Sequence, residues 1–184
     1  MNTDYSPQQR RIELIAGEAE FVVAKDKARP FVVVADGQEV KALGSDFIVK
    51  KQQGGVSVTV IESAVQVSQP ASPKIEPVVL RSGERIDVAS GRPLGQMRTV
   101  NAERVRAWRD NRLIFEGETL DNVVAEINRY RPGHVFLSDN TLAGYRVNVL
   151  FHIDQIDKVL AVIDQTLPVK SMSLGGRFVW LYSK

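Results

Sequence analysis

A mainly β front half followed by an α+β back half is what this sequence predicts, and three observations carry that reading. Residues 10–90 are rich in Val, Ile and Phe and are broken by Gly, Asp-Gly and Pro signals, as in a succession of short strands. Near residue 98 the pattern changes, and helical periods begin to alternate with strands. Two apolar stripes then recur at helical spacing, one from Leu120 to Tyr130 and one from Ile156 to Leu167. A chain of 184 residues holds one domain or two small ones.

In the front half, Ile12 and Leu14 precede Gly17, after which Ala19, Phe21 and Val23 alternate with polar or small positions. Phe31 to Val34 is an apolar strand, and Asp36-Gly37 is a tight turn. Val40, Leu43, Phe47 and Val49 continue the pattern, and Gly54-Gly55 turns the chain again. Val56, Val58 and Val60 alternate with Ser57 and Thr59, which predicts a strand with one buried face.

Three segments share a pattern: Leu14-x-x-Gly17, Val60-x-x-Ser63 and Leu80-x-x-Gly83 each place an aliphatic residue three before a small turn residue. The spacing is unequal, so there is no strict solenoid period. Short strands that bend at small residues and stack make either a β-sandwich or an irregular β-solenoid. Residues 1–9 read as disordered or as the start of a linker. Residues 68–77 read as an exposed loop, and Ser90 to Gly95 as the hinge between the halves.

In the back half, Asn101 is a good cap for a short helix carrying Ala102, Val105 and Trp108. Leu113 to Phe115 is a strand. Thr119 caps the helix bearing Leu120, Val123, Val124, Ile127 and Tyr130, and Pro132-Gly133 stops it. Val135 to Leu137 is a strand, Asp139-Asn140 a turn, and Tyr145, Val147, Val149 and Phe151 mark a half-buried strand. Asp154 is expected to cap the next helix, which carries Ile156, Val159, Leu160, Ile163 and Leu167 ahead of Pro168. Val169 to Leu174 and Arg177 to Tyr182 form a hairpin across Gly175-Gly176. The order is βαββαββ, read as two helices against one small sheet.

Composition narrows the chemistry. Lys and Arg total 24 and Asp and Glu 22, a formal charge of +2, which makes no global case for nucleic acid or an anionic membrane. Arg98, Arg104, Arg106, Arg109 and Arg112 form a local basic run, but Trp108 alone accompanies them, without the aromatics of a stacking platform. Cysteine is absent, which excludes disulfides, thiolate zinc sites and cysteine nucleophiles. His134 and His152 are the only histidines, and each reads as a surface or edge residue. The sequence has no phosphate-binding Gly-rich loop, no nucleophile elbow and no His-Glu-x-x-His. Glu18 and Glu20 share one face of a strand, and that face reads as solvated. No catalytic residue, cofactor or metal is expected, and the chain is expected not to be an enzyme.

Arg10-Arg11-Ile-Glu-Leu-Ile-Ala-Gly-Glu-Ala-Glu-Phe21, Arg29-Pro-Phe-Val-Val33, Val40-Lys-Ala-Leu-Gly-Ser-Asp-Phe-Ile-Val49 and Val56-Ser-Val-Thr-Val60 together resemble the FecR-type domain of single-pass inner-membrane regulators of extracytoplasmic-function sigma factors. The stretch from 113 to 184, including Leu120-Asp-Asn-Val-Val-Ala-Glu-Ile-Asn-Arg-Tyr130, resembles the secretin/TonB short N-terminal (STN) domain. The resemblance implies a FecR-type β-rich domain over 10–97, a linker helix over 98–112 and an STN-like domain over 113–184. Within the family, pseudobactin-type siderophore regulators are the nearest resemblance. Ser45 stands where the family usually has Thr, and Ser63 where it usually has Gly, the residue that enters positive φ without strain.

What the resemblance implies for function is a periplasmic fragment of a single-pass inner-membrane protein, lacking the cytoplasmic sigma-binding region and the membrane helix. Its partner would be the N-terminal signalling domain of an outer-membrane TonB-dependent siderophore transporter. A periplasmic protease would follow, and the sigma factor would be met only through the missing cytoplasmic region. Direct siderophore binding and nucleic acid are not expected. The alternative is a structural or glycan-binding envelope module with secretin-like assembly.

For the partner surface the residues offer candidates. Phe178, Trp180 and Tyr182 fall on one face of the last strand, with Val179 and Leu181 on the other. As an edge, that strand is a template for strand addition; as a central strand, it is buried. Asp157 and Lys158 point outward from the last helix and present a second flank.

Overall fold

Chain entropy is offset here by two separate apolar cores, and the computed structural model, which describes residues 1–52 and 54–184, divides accordingly into Met1–Ala102 and Glu103–Lys184.

The first unit comprises β1 (Asn2–Tyr5), β2 (Arg10–Glu13), β3 (Gly17–Val22), β4 (Phe31–Ala35), β5 (Gln38–Ala42), β6 (Asp46–Gln52), β7 (Gly55–Glu62), β8 (Ala64–Ser68), β9 (Val78–Arg81), β10 (Glu84–Ala89) and β11 (Met97–Thr99). One sheet has the order β1-β2-β4-β5-β8-β9 and the other β11-β10-β7-β6-β3. Val33, Val40 and Leu80 from the first sheet and Phe47, Val58 and Ile86 from the second line one cluster. Two sheets around a single core make a sandwich rather than a solenoid.

The recurring pattern of an aliphatic residue three before a small one marks where the chain changes sheets. Gly17 leads from β2 to β3, Ser63 from β7 to β8 and Gly83 from β9 to β10, each time from one sheet to the other. Their φ values are 86°, 69° and 79°, and Leu14, Val60 and Leu80 are buried. Each corner combines a buried aliphatic anchor with a left-handed residue that redirects the chain. Ser63 adopts that conformation despite its side chain.

Three expectations for this unit need correction. Residues 1–9 are not disordered or linker throughout, because β1 pairs antiparallel with β2, Thr3 opposite Ile12. Ser90 to Gly95 is not the hinge: the chain returns at Met97 to pair with β10, and a Cβ on Gly95 would lie 2.2 Å from the Asp87 carbonyl oxygen. Both faces of β7 are buried from Gly55 to Val60, Ser57 and Thr59 included. These small residues sit in a central strand flanked in register by Lys50 and Asp87, and by Ile48 and Arg85.

α1 (Ala102–Arg106) starts at the last residue of the first unit, and a 3₁₀ turn over Ala107–Asp110 follows it in the second. The second unit continues with β12 (Arg112–Thr119), α2 (Leu120–Tyr130), β13 (His134–Leu137), β14 (Arg146–His152), α3 (Ile156–Thr166), β15 (Val169–Leu174) and β16 (Phe178–Ser183). The Thr119 side chain accepts from the Asn122 N–H and so caps α2. Asp154 does not cap α3: it lies within a 3₁₀ turn over Ile153–Gln155, and Gln155 occupies the cap position without a side-chain bond. The strands make two sheets rather than one, β12-β14 and β13-β16-β15. Each helix touches strands of both, because four buried residues on each (Leu120, Val123, Val124 and Ile127; Ile156, Val159, Leu160 and Ile163) form a stripe broad enough to serve two layers.

The Arg98–Arg112 run does not form one continuous basic face. Arg98 pairs with Asp87, Arg104 with Glu116 and Arg112 with Asp110.

Candidate protein-docking face

The last strand of the chain is the middle strand of its sheet. β16 pairs parallel with β13 on one side and antiparallel with β15 on the other. Strand addition at β16 is therefore excluded, because both of its backbone edges are already paired. Alternation buries Val179 and Leu181 against the helices and turns Phe178, Trp180 and Tyr182 to the other face.

On that outer face, register builds rows across the sheet. His134, Phe178 and Leu174 form one row, and Phe136, Trp180 and Met172 the next. Phe136 and Trp180 stack with centroids 5.4 Å apart and planes 18° apart, and His134 lies 4.5 Å from Phe136. Phe178 closes the cluster at 6.5 Å from Phe136 and 6.4 Å from Trp180. Met172 is 57% exposed, Leu174 65%, Phe178 44% and Tyr182 39%. Ser138, Met172, Ser173, Leu174, Trp180 and Tyr182 line a groove of about 340 Å³. Apolar side chains this concentrated on one exposed sheet face are a feature of docking surfaces.

The other two candidates lie elsewhere. Asp157 and Lys158 are in the first turn of α3, behind the sheet, and the Lys158 ammonium bonds the Gln155 side chain at 3.4 Å. The Asp157 carboxylate accepts from Arg131 Nε at 2.7 Å. Arg131 extends from the end of α2, and its other nitrogens donate to the carbonyls of Gly176 and Arg177 in the β15–β16 loop. Asp157 is thus joined through Arg131 to the end of the aromatic sheet, whereas Lys158 is not. Sequence reasoning missed Arg131 because a charged residue after a helix, beside Pro132, reads as surface; its side chain is 3% exposed. The nearby Gly133 has φ 97°, and a Cβ there would lie 2.1 Å from the Arg177 carbonyl oxygen. Backbone and guanidinium thus converge on the same loop.

The edges of this sheet differ. Asn128 on α2 mimics a neighbouring strand for β13: its Nδ2 donates to the Val135 carbonyl at 2.9 Å, and its Oδ1 accepts from the Val135 N–H at 2.8 Å. Among the described residues, no strand lies beside the outer edge of β15. At the far end of β13, Asp139 accepts from the Thr141 N–H at 2.8 Å and from the Ser183 hydroxyl at 3.0 Å. These bonds, that to the Thr141 backbone first, hold its carboxyl below the usual carboxylate range. Among the described residues, no group of three His, Cys, Asp or Glu side chains gathers in a way that could hold a metal ion.

Comparison with known proteins bears on both units. Two crystal structures of a "putative anti-sigma factor" from Parabacteroides distasonis, at 1.65 and 2.50 Å resolution, superpose with TM-scores of 0.83 and 0.81. Each is 24% identical to this chain, and the matches cover 98% of this chain and 84% and 83% of theirs, a likeness that establishes the fold. No curated protein matches the sequence significantly. Residues 1–66 match the family described as FecR protein. That match lies within the N-terminal unit, Met1–Ala102.

Proposed function

We propose that this chain is the signal-receiving part of a sigma regulator, an anti-sigma factor, that works by protein–protein contact and not by catalysis. The FecR match over residues 1–66 supports the regulatory class, and the anti-sigma description of the structures sharing its fold agrees with it. The observation that carries a docking role is the outer face of β13-β16-β15, where exposed Phe136, Phe178 and Tyr182 flank the half-buried Trp180.

The finer reading places the fragment in the periplasm. The βαββαββ unit acts as an STN-like module that docks the N-terminal signalling domain of a TonB-dependent siderophore transporter. Docking favours the folded state by mass action, and so controls exposure of sites for regulated proteolysis and release of the sigma factor.

Titration calorimetry of the whole chain against the transporter's signalling domain tests this. Trp180→Ala and Tyr182→Ala are expected to weaken binding by about tenfold or more each, as aromatic anchors do. Undiminished affinity in both variants, with circular dichroism unchanged, would overturn the docking face. No binding by the unaltered chain would overturn the transporter as partner.

A further inference from the structure

Among the described residues no strand pairs with the outer edge of β15, which is bordered by an apolar face and by positive charge. The Lys184 N–H bonds the Pro168 carbonyl at 3.1 Å, which sets the phase of the ladder. Lys170, Met172 and Leu174 therefore turn their N–H and C=O groups toward β16, while Ser171 and Ser173 turn theirs outward. Among the described residues, no hydrogen bond reaches those outward groups from a neighbouring element. The opposite edge of the sheet is closed by Asn128.

Charge identifies the occupant. Residues 168–184 contain Lys170, Arg177 and Lys184 and no Asp or Glu, and residues 131–138 contain Arg131 and His134 and no acid. Lys170 is exposed at one end of β15, on the face of Met172 and Leu174. Arg177 is exposed in the loop at the other end. Among the described residues neither takes part in an ion pair. A second copy of this edge, added antiparallel, brings like charges together and is disfavoured.

We propose that β15 accepts an extended segment of a partner protein as an added strand, with two apolar side chains prolonging the aromatic face and acidic residues at the ends meeting Lys170 and Arg177. Main-chain bonds to Ser171 and Ser173 supply the pairing, and the Met172–Leu174–Trp180 groove takes the apolar side chains. The proposal rests on the reading of this unit as a docking module, but not on the transporter as partner.

The test uses the whole chain, ¹⁵N-labelled, and two end-blocked peptides, Glu-Ser-Val-Thr-Val-Ser-Glu and the same peptide with Lys in place of Glu. The acidic peptide is expected to shift the amide signals of β15, the Ser171 and Ser173 N–H groups above all, and to bind at least fivefold more tightly than the basic one. Ser171→Pro removes an outward N–H without touching the β15–β16 ladder, and is expected to abolish binding. Lys170→Glu, a surface change, is expected to reverse the preference between peptides. No shift at millimolar peptide, equal binding of both peptides, or full binding by a folded Ser171→Pro chain overturns the proposal. If peptides fail while the transporter domain still binds, only strand addition falls. If peptides bind β15 and the transporter domain does not bind, strand addition stands and the transporter assignment falls.

Discussion

Arg131 at the end of α2 and Asp157 in the first turn of α3 lie 2.7 Å apart, and the two side chains are solvated very differently: 3% of the arginine is exposed against 73% of the carboxylate. The guanidinium also holds the Gly176 and Arg177 carbonyls, so it joins two helices and a hairpin. Arg131→Met is expected to cost about 1–3 kcal/mol, because several acceptors lose their donor at once. Asp157→Asn is expected to cost less than about 1 kcal/mol, since an exposed carboxylate is largely screened. Denaturant unfolding followed by tryptophan fluorescence checks the contrast, both tryptophans (Trp108 and Trp180) lying in this unit. Equal losses in the two variants would contradict it.

The corners of the sandwich make a second prediction of opposite signs. Gly83→Ala places a side chain at φ 79° and is expected to lose about 1–2 kcal/mol. Ser63→Gly relieves a non-glycine residue at φ 69° and is expected to gain up to about 1 kcal/mol, the larger unfolded-state entropy of glycine limiting the benefit. Thermal unfolding of the whole chain reads both.

Acid is expected to loosen the end of β13. The Asp139 carboxyl is held below the ordinary carboxylate range, first by the Thr141 backbone N–H and then by the side-chain bonds, that of the Ser183 hydroxyl among them. A depressed folded-state value means that the tie contributes stability above the unfolded value and loses it as pH falls through the folded one. Carbon-13 titration of the carboxyl is expected to give a midpoint below that of an unstructured Asp. Ser183→Ala should raise the midpoint, and an unmoved value would show that Ser183 contributes nothing.

Gly133 yields a sharper test of the hairpin's seat. With φ at 97° and the Arg177 carbonyl 2.1 Å from where a Cβ would sit, Gly133→Ala cannot be accommodated without moving backbone. The expected outcome is lower stability, with the largest amide chemical-shift changes in β13 and at Arg177.

Local signals were legible where one residue carries them. Thr119 as a cap, the α2 and α3 stripes, the Gly175-Gly176 turn and the three corner residues each act within a few positions of themselves. Partnership across the chain was not legible in the same way. Nothing local to Phe178–Ser183 says that it lies between β13 and β15, since an apolar strand reads alike at the centre or under a cover. Asp154 was a reasonable cap by type, yet the chain enters α3 through a 3₁₀ turn that displaces it by one residue. Arg131 was missed because its partners come from positions 157, 176 and 177, which no periodicity connects. The aromatic face was half legible: Phe178, Trp180 and Tyr182 alternate visibly, but Phe136 joins them only through the parallel pairing of β13 with β16.

The central place of β16 gives the Gly175–Arg177 loop unusual leverage. One nick there would cut the link between β15 and β16, and loss of β16 with its Val179 and Leu181 would leave β13 and β15 with no strand between them and the helices with a hole beneath. The same geometry means that β13 and β15 have no strand to pair with in this sheet until β16 is in place.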